Sequence, residues 1–180
     1  MKNNYLQSAL IVIAIAIIWL LLDSLNRKYF GFLQVSDFVY SIYWLSGIRL
    51  IAVILFGWLG VLGICLGYIL GGINIRGFSY QDAISLGVLS SLAPMIAYII
   101  WQKLTRVGNL FENVSFPQLF CLVLLHSVFT ALFRNIYFFA MDKPNGYEQI
   151  LLTFSANFLG TFILVYLLKW GKYWHKKIKK

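Results

Sequence analysis

The sequence predicts an all-α fold, a polytopic transmembrane bundle of about six hydrophobic helices, some of them short or broken. Three observations carry that expectation. Hydrophobic residues make up 61% of the 180-residue chain and charged residues only 12%, with a mean hydropathy of +0.79. A soluble domain is nearer half apolar and a quarter charged. The stretch Leu50–Leu70 holds no charge and contains four glycines, and its length suffices to cross a hydrocarbon core of about 30 Å as a helix. Leu10–Leu22, Ala83–Trp101, Leu119–Phe139 and Ile150–Trp170 form further apolar runs, whereas a soluble bundle needs polar outward faces. Residues 1–180 read as one integral membrane domain.

The first helix is predicted over about Leu6–Leu22. Only Lys2 precedes its apolar run, and LLLDSLNRK rather than a small-residue cleavage pattern follows it, so a retained helix is expected and not a removed signal peptide. Asp23, Arg27 and Lys28 place the next segment at a membrane surface. Between Phe38 and Arg49 the aromatic stretch FVYSIYWLSGIR is broken by Ser41, Ser46, Gly47 and Arg49. The region up to Gly72 has two readings. One is a single span at Leu50–Leu70 behind a re-entrant or interfacial segment. The other divides near Gly57 into short helices at about Val39–Phe56 and Trp58–Gly71.

Charge bias favours the five-span reading, because six spans export Arg27 and Lys28. Segment length favours six, which is the expectation adopted. Both readings put Lys103 and Arg106 inside and Arg76 and Lys143 outside.

After the connection Gly71–Asp82, a helix over Ala83–Ile100 contains Pro94, which removes a backbone donor and tends to kink it. Gly87, Ser90 and Ser91 precede it as a small-residue face. Pro117 suits the first turn of the next helix, which extends to Phe139. MDKPNG (141–146) has turn chemistry, and the last helix covers roughly Glu148–Trp170. Tyr40, Tyr43, Trp44, Tyr98, Trp101, Trp170, Tyr173 and Trp174 cluster near these boundaries, as interfacial belts do.

The formal charge of +9 does not point to nucleic acid. Six of the fifteen basic residues lie at or after Lys169, ending in KKIKK. A basic tail of this kind, 169–180, anchors the preceding helix at the cytoplasmic face. Membrane lipids are therefore the first expected partner. Cys65 and Cys121 lie apart within apolar runs, with neither disulfide nor metal spacing, and no metal or cofactor is expected.

Gly60, Gly63, Gly67 and Gly71 recur at spacings of three, four and four, close to one side of a helix. Lipid gives helices no hydrophobic drive to associate, so close contact through small residues must supply much of it. Packing within the chain, homo-oligomerisation and docking of a larger partner are all uses of such a face.

Four polar residues at depth are candidate ligand-binding residues: Arg49, His126, Arg134 and Asn157. Arg49, in SGIRL, either snorkels to phosphate or lines a cavity with Ser46 and Gly47 and holds an anionic group. Inside the bundle it requires a carboxylate or several carbonyls. His126, Thr130 and Arg134 step by four along one helix, a polar stripe that faces a cavity or Asn157. Asn157 and His126 also serve as interhelical glue. HExxH, GxSxG and phosphate-loop motifs are absent, and the only histidines are His126 and His175, so the chain is not expected to be an enzyme.

YWLSGIRLIAVILFGWLGVLGICLGYILGG (43–72) resembles the opening of the MASE1 type of bacterial membrane-associated sensor domain, and LTFSANFLGTFILVYLL (152–168) is similar to that family's closing helix. A Gly-Asp pair usual in that helix is here Ala156 and Asn157, so a role needing negative charge does not carry over. The resemblance carries Trp44, Gly47, Arg49, Gly57, Gly67, Asn157 and Gly160 as architectural or ligand-proximal positions. Family members often carry a cyclic-dinucleotide enzyme or a histidine kinase after the membrane part, and this chain reaches KKIKK without one. The resemblance thus implies a stand-alone sensor in a bacterial inner membrane that acts through a signalling partner. The chain also resembles the substrate-binding membrane component of energy-coupling-factor vitamin transporters, which implies a small-molecule ligand, a separate energising module, and a glycine face that docks it.

Overall fold

The chain folds into six α-helices and one small strand pair. The computed structural model describes residues 2–36, 39–105, 114–143 and 146–178, with side chains over 5–35, 39–105, 114–143 and 146–170. Asp37, Arg106 and Glu112, the middle of the MDKPNG turn, and the side chains of Tyr173, Trp174, His175 and the tail lysines lie outside that description.

In chain order the helices are α1 (Lys2–Phe30), α2 (Leu45–Phe56), α3 (Trp58–Asn74), α4 (Tyr80–Thr105), α5 (Phe116–Ala140) and α6 (Tyr147–Ile178), with β1 (Gln34–Ser36) and β2 (Val39–Tyr40) between α1 and α2. Four helices are long and apolar enough to cross a membrane, and α2 and α3 are shorter apolar helices. The strands pair antiparallel, Gln34 with Tyr40 and Ser36 with Val39. This corrects the expectation of a helix from Val39: the segment ahead of Leu45 is extended, and α2 has 12 residues, about 18 Å of helix.

Gly57 divides α2 from α3. Its φ of 56° and ψ of −128° fall where a side chain is disfavoured, and its N–H still closes on the Val53 carbonyl at 2.8 Å. The chain reverses there, and Gly60 comes so close to the Ala52 carbonyl that a Cβ would overlap it. Along α3, Gly63 meets Ile15, Gly67 meets Ala16 and Trp19, and Gly71 meets Leu20 and Asp23. Helices α1 and α3 therefore run parallel in close contact. The glycine face is occupied by α1 and α2 of the same chain and offers no open surface to another protein.

The start of α2 lies deep in the bundle. Tyr43 N–H donates to the Ala156 carbonyl at 3.0 Å, and Gly160, one turn on in α6, has room for the Tyr43 carbonyl only because it lacks a Cβ. Gly47 then packs on Thr161 and Leu164. Helix α2 thus begins about halfway along the apolar part of α6 and runs parallel to it. The start of α1, the Gly57 turn and the end of α6 share one end of the bundle, here the Gly57 end. The Arg76 end carries β1–β2, the close of α1 and the starts of α4 and α6.

Four aromatic residues assigned to an interfacial belt sit inside instead. Tyr43, Tyr98 and Trp101 are buried. Trp101 Nε1–H donates to the Gln118 carbonyl at 2.6 Å and Trp44 Nε1–H to Asn26 Oδ1 at 2.6 Å. Each indole found its partner within the protein. Trp170 remains exposed.

Candidate functional site

Pro94 builds one wall of the site. It has no N–H, so the Ser90 carbonyl one turn earlier loses its helical donor. Arg49, from α2, donates to that carbonyl through Nη1 at 3.3 Å. The same guanidinium donates through Nη2 to Asn157 Oδ1 at 2.8 Å and to Ser46 Oγ at 3.3 Å, and it lies 5.5 Å from the centre of the Tyr43 ring. Arg49 is 2% exposed. Its partners are an amide, a hydroxyl and a carbonyl, none of them charged.

Ser46 Oγ also lies 2.9 Å from His126 Nε2, whose second neighbour is the Ser46 carbonyl at 3.2 Å. An Nε2–H that donates to the Ser46 carbonyl and to Ser46 Oγ, with that hydroxyl also accepting from Arg49, satisfies all three contacts. Asn157 Nδ2 donates to the Thr153 carbonyl at 2.6 Å. His126, Ser46, Arg49 and Asn157 therefore form one hydrogen-bonded chain from α5 through α2 to α6. Such contacts across membrane helices contribute about 0.6 kcal/mol on average.

Thr130 and Arg134 continue the His126 stripe and reach a cavity that Arg49 and Asn157 also line. Arg134 stacks over Phe138 at 5.3 Å, and its buried Nε has no hydrogen-bond partner. Of the four predicted residues, Arg49, Arg134 and Asn157 thus meet at one cavity. His126 supports it from behind through Ser46.

Two further arginines join them. Arg27, from α1, and Arg76, after α3, line the same cavity. Arg76 donates to Asp23 through Nε at 3.1 Å and through Nη2 at 2.5 Å, a bidentate pair. It also lies 4.6 Å from the Tyr68 ring centre and donates to Tyr43 Oη at 3.4 Å. Burial opposes the Arg76 charge, but the Tyr68, Tyr43 and Asp23 oxygens outweigh it and hold the guanidinium protonated well above its usual range. Four arginines therefore line one hollow, and Asp23 is the one carboxylate paired with any of them among the described residues.

At the Arg76 end a second hollow of about 210 Å³ is lined by Arg27, Gln34, Arg76, Ser79 and Asp82 among others. It shares Arg27 and Arg76 with the inner cavity, so those two residues border both a polar vestibule and the deep site. Asp82 is held on the vestibule rim by Tyr137 Oη–H at 2.7 Å and Lys143 Nζ at 3.0 Å.

Sequence reasoning missed Asp23, Arg27, Tyr43 and Arg76. A signal for the α1 pair was present: Asp23, Asn26 and Arg27 prolong the stripe of Ile15, Ala16 and Trp19 that α1 buries. Among the described residues no group of three or more His, Cys, Asp or Glu side chains is placed to hold a metal ion. No protein-family model, curated protein or solved structure matches the chain.

Proposed function

We propose that this chain is a non-enzymatic membrane sensor that receives an anionic solute in the arginine-lined cavity and passes its occupancy to a separate signalling protein. The observation that carries the reading is charge: Arg27, Arg49, Arg76 and Arg134 converge on one hollow with Asp23 as their one paired carboxylate among the described residues. Unneutralised guanidinium at depth is costly, and a bound anion relieves that cost. Occupancy has a route outward, because Arg49 ties α2 to α4 and α6, and Ser46 ties it to α5.

The Ser46–His126 pair does not argue for a nucleophilic enzyme. Both residues are fully buried, neither lines the cavity, and His126 Nδ1 has no orienting partner. The resemblance to the MASE1 type supports the sensor reading, since Trp44, Gly47, Arg49, Asn157 and Gly160 all lie on or beside the α2–α6 contact. A transporter component is the weaker reading, because the glycine face that would dock an energising module is covered by α1 and α2. The basic tail supports a Gly57 end that faces the cytoplasm across a bacterial inner membrane, with the vestibule open to the opposite side.

The test is the full chain in lipid nanodiscs, its thermal unfolding followed while acetate, chloride and inorganic phosphate are titrated at constant ionic strength. A saturable stabilisation by at least one anion that Arg134→Gln abolishes is the expected result. An unmoved transition for all three contradicts the reading. Affinity isolation in mild detergent then recovers a signalling protein; recovery of a transporter energising module alone contradicts the sensor role.

A further inference from the structure

We infer that the group held in the inner cavity is a carboxylate, so that the ligand is a small carboxylic acid whose polar body occupies the vestibule. The inference rests on the anion-receptor reading above and specifies its ligand. Four buried polar atoms on the cavity-lining residues have no hydrogen-bond partner: Arg49 Nε, Arg134 Nε, Thr130 Oγ1 and Thr153 Oγ1. Membrane-buried hydroxyls ordinarily bond back to a carbonyl of their own helix, as Ser127 does to Val123 at 2.8 Å and Ser91 to Val88 at 3.0 Å. Thr130 and Thr153 are as deeply buried yet make no such bond.

The unmatched set is two guanidinium N–H groups and two hydroxyls, all able to donate. An ionised carboxyl group accepts only, at about four lone-pair sites, and its planar fork suits guanidinium. Size points the same way. The free volume of the inner cavity is about 20 Å³, where one water requires about 10–15 Å³ on the same measure. A two-oxygen head fits with small adjustment, whereas the four oxygens of a phosphate are crowded in that volume. Chloride fits by size but presents one centre to donors arriving from α2, α5 and α6. The vestibule, which shares Arg27 and Arg76 with the cavity and is lined also by Gln34 and Ser79, takes the remainder of the ligand, which must be hydrophilic.

The experiment is equilibrium binding of ¹⁴C-acetate to the full chain in neutral-lipid nanodiscs, with chloride and inorganic phosphate as competitors. Wild type is compared with Arg134→Lys and Thr153→Val, and unfolding without ligand verifies that each variant is folded. Acetate should bind saturably and resist competition by equimolar phosphate or chloride. Each variant should weaken it about tenfold, the loss expected of a hydrogen bond to a charged group. Arg134→Lys keeps the charge and removes only the fork, so an unweakened acetate affinity in both folded variants overturns the carboxylate site. Phosphate or chloride binding more tightly than acetate and disappearing in Arg134→Gln overturns the carboxylate inference but leaves the anion receptor standing. No binding of any of the three overturns both.

Discussion

Pro94 leaves the Ser90 carbonyl without a helical donor, and Arg49 donates to that carbonyl at 3.3 Å. A proline that weakens α4 thus supplies an acceptor to a buried charge on α2. In Pro94→Ala the new N–H reclaims the Ser90 carbonyl and competes with Arg49. Thermal unfolding should rise or stay level, since proline in a helix interior costs about 3 kcal/mol, while anion affinity falls several-fold. Binding unchanged in the stabilised variant would contradict the coupling.

Asn157 holds the shortest hydrogen bond that Arg49 makes, at 2.8 Å. Asn157→Leu leaves a guanidinium that is 2% exposed with only Ser46 Oγ and the Ser90 carbonyl as acceptors. The expected loss is about 1.5–3 kcal/mol, as for a buried hydrogen bond to a charged group. His126→Leu removes neutral partners only, and a loss of about 1 kcal/mol is expected. Steric trapping or reversible unfolding in mixed micelles measures both; equal losses would show that the Arg49 charge is not what Asn157 supports.

The glycines differ in what a methyl group would meet. At Gly160 it falls on the Tyr43 backbone carbonyl, and at Gly63 it lies 2.6 Å from Ile15 Cβ. At Gly71 the nearest atom is Asp23 Oδ2 at 3.3 Å, and at Gly31 nothing lies within 4 Å. Alanine should therefore destabilise most at Gly160, by about 2 kcal/mol or more, because neither backbone can yield without moving a helix. Gly31→Ala should be neutral within about 0.5 kcal/mol. Unfolding free energies of the three variants Gly160→Ala, Gly63→Ala and Gly31→Ala test that order.

Asp23 and Arg76 should respond asymmetrically. Asp23→Asn frees a guanidinium that already borders the vestibule and rests against the Tyr68 ring, so anion affinity should increase several-fold at modest cost in stability. Arg76→Gln leaves Asp23, 1% exposed, as a buried carboxylate without its cation, and should destabilise by about 3–5 kcal/mol. Paired titration and melting of the two variants checks both signs.

How much of this was legible in sequence follows from the range of each interaction. The division at Gly57 was readable because the region Phe38–Gly72 was long for one crossing and a glycine stood near its middle. Arg49, His126, Arg134 and Asn157 stood out because polar groups at depth need partners. The meeting of α2 with Ala156 and Gly160 was not readable, since nothing local marks a helix that starts inside the bundle.

Asp23 and Arg76, 53 residues apart, each sit beside the end of an apolar run, where a charge in solvent and a charge in a pocket look alike. For the same reason charge bias leaned toward five spans. It counted Arg27 as a surface charge, and Arg27 lines the cavity. The extended pair β1–β2 was missed because its strands have only three and two residues and close through Ser41 N–H donating to Leu33 O at 2.7 Å, too short for a strand pattern of its own.

The central claim is that the arginine cavity takes an anion. Rotational-echo double-resonance NMR of the full chain in lipid, with ¹⁵N-labelled arginine side chains and ¹³C-carboxyl acetate or inorganic ³¹P-phosphate, measures that contact directly. The account predicts dephasing of bound anion by guanidinium nitrogen within about 4 Å, the range of a hydrogen-bonded pair, and its loss in Arg134→Gln. Absence of guanidinium dephasing for both anions, or dephasing that survives Arg134→Gln unchanged, would contradict it.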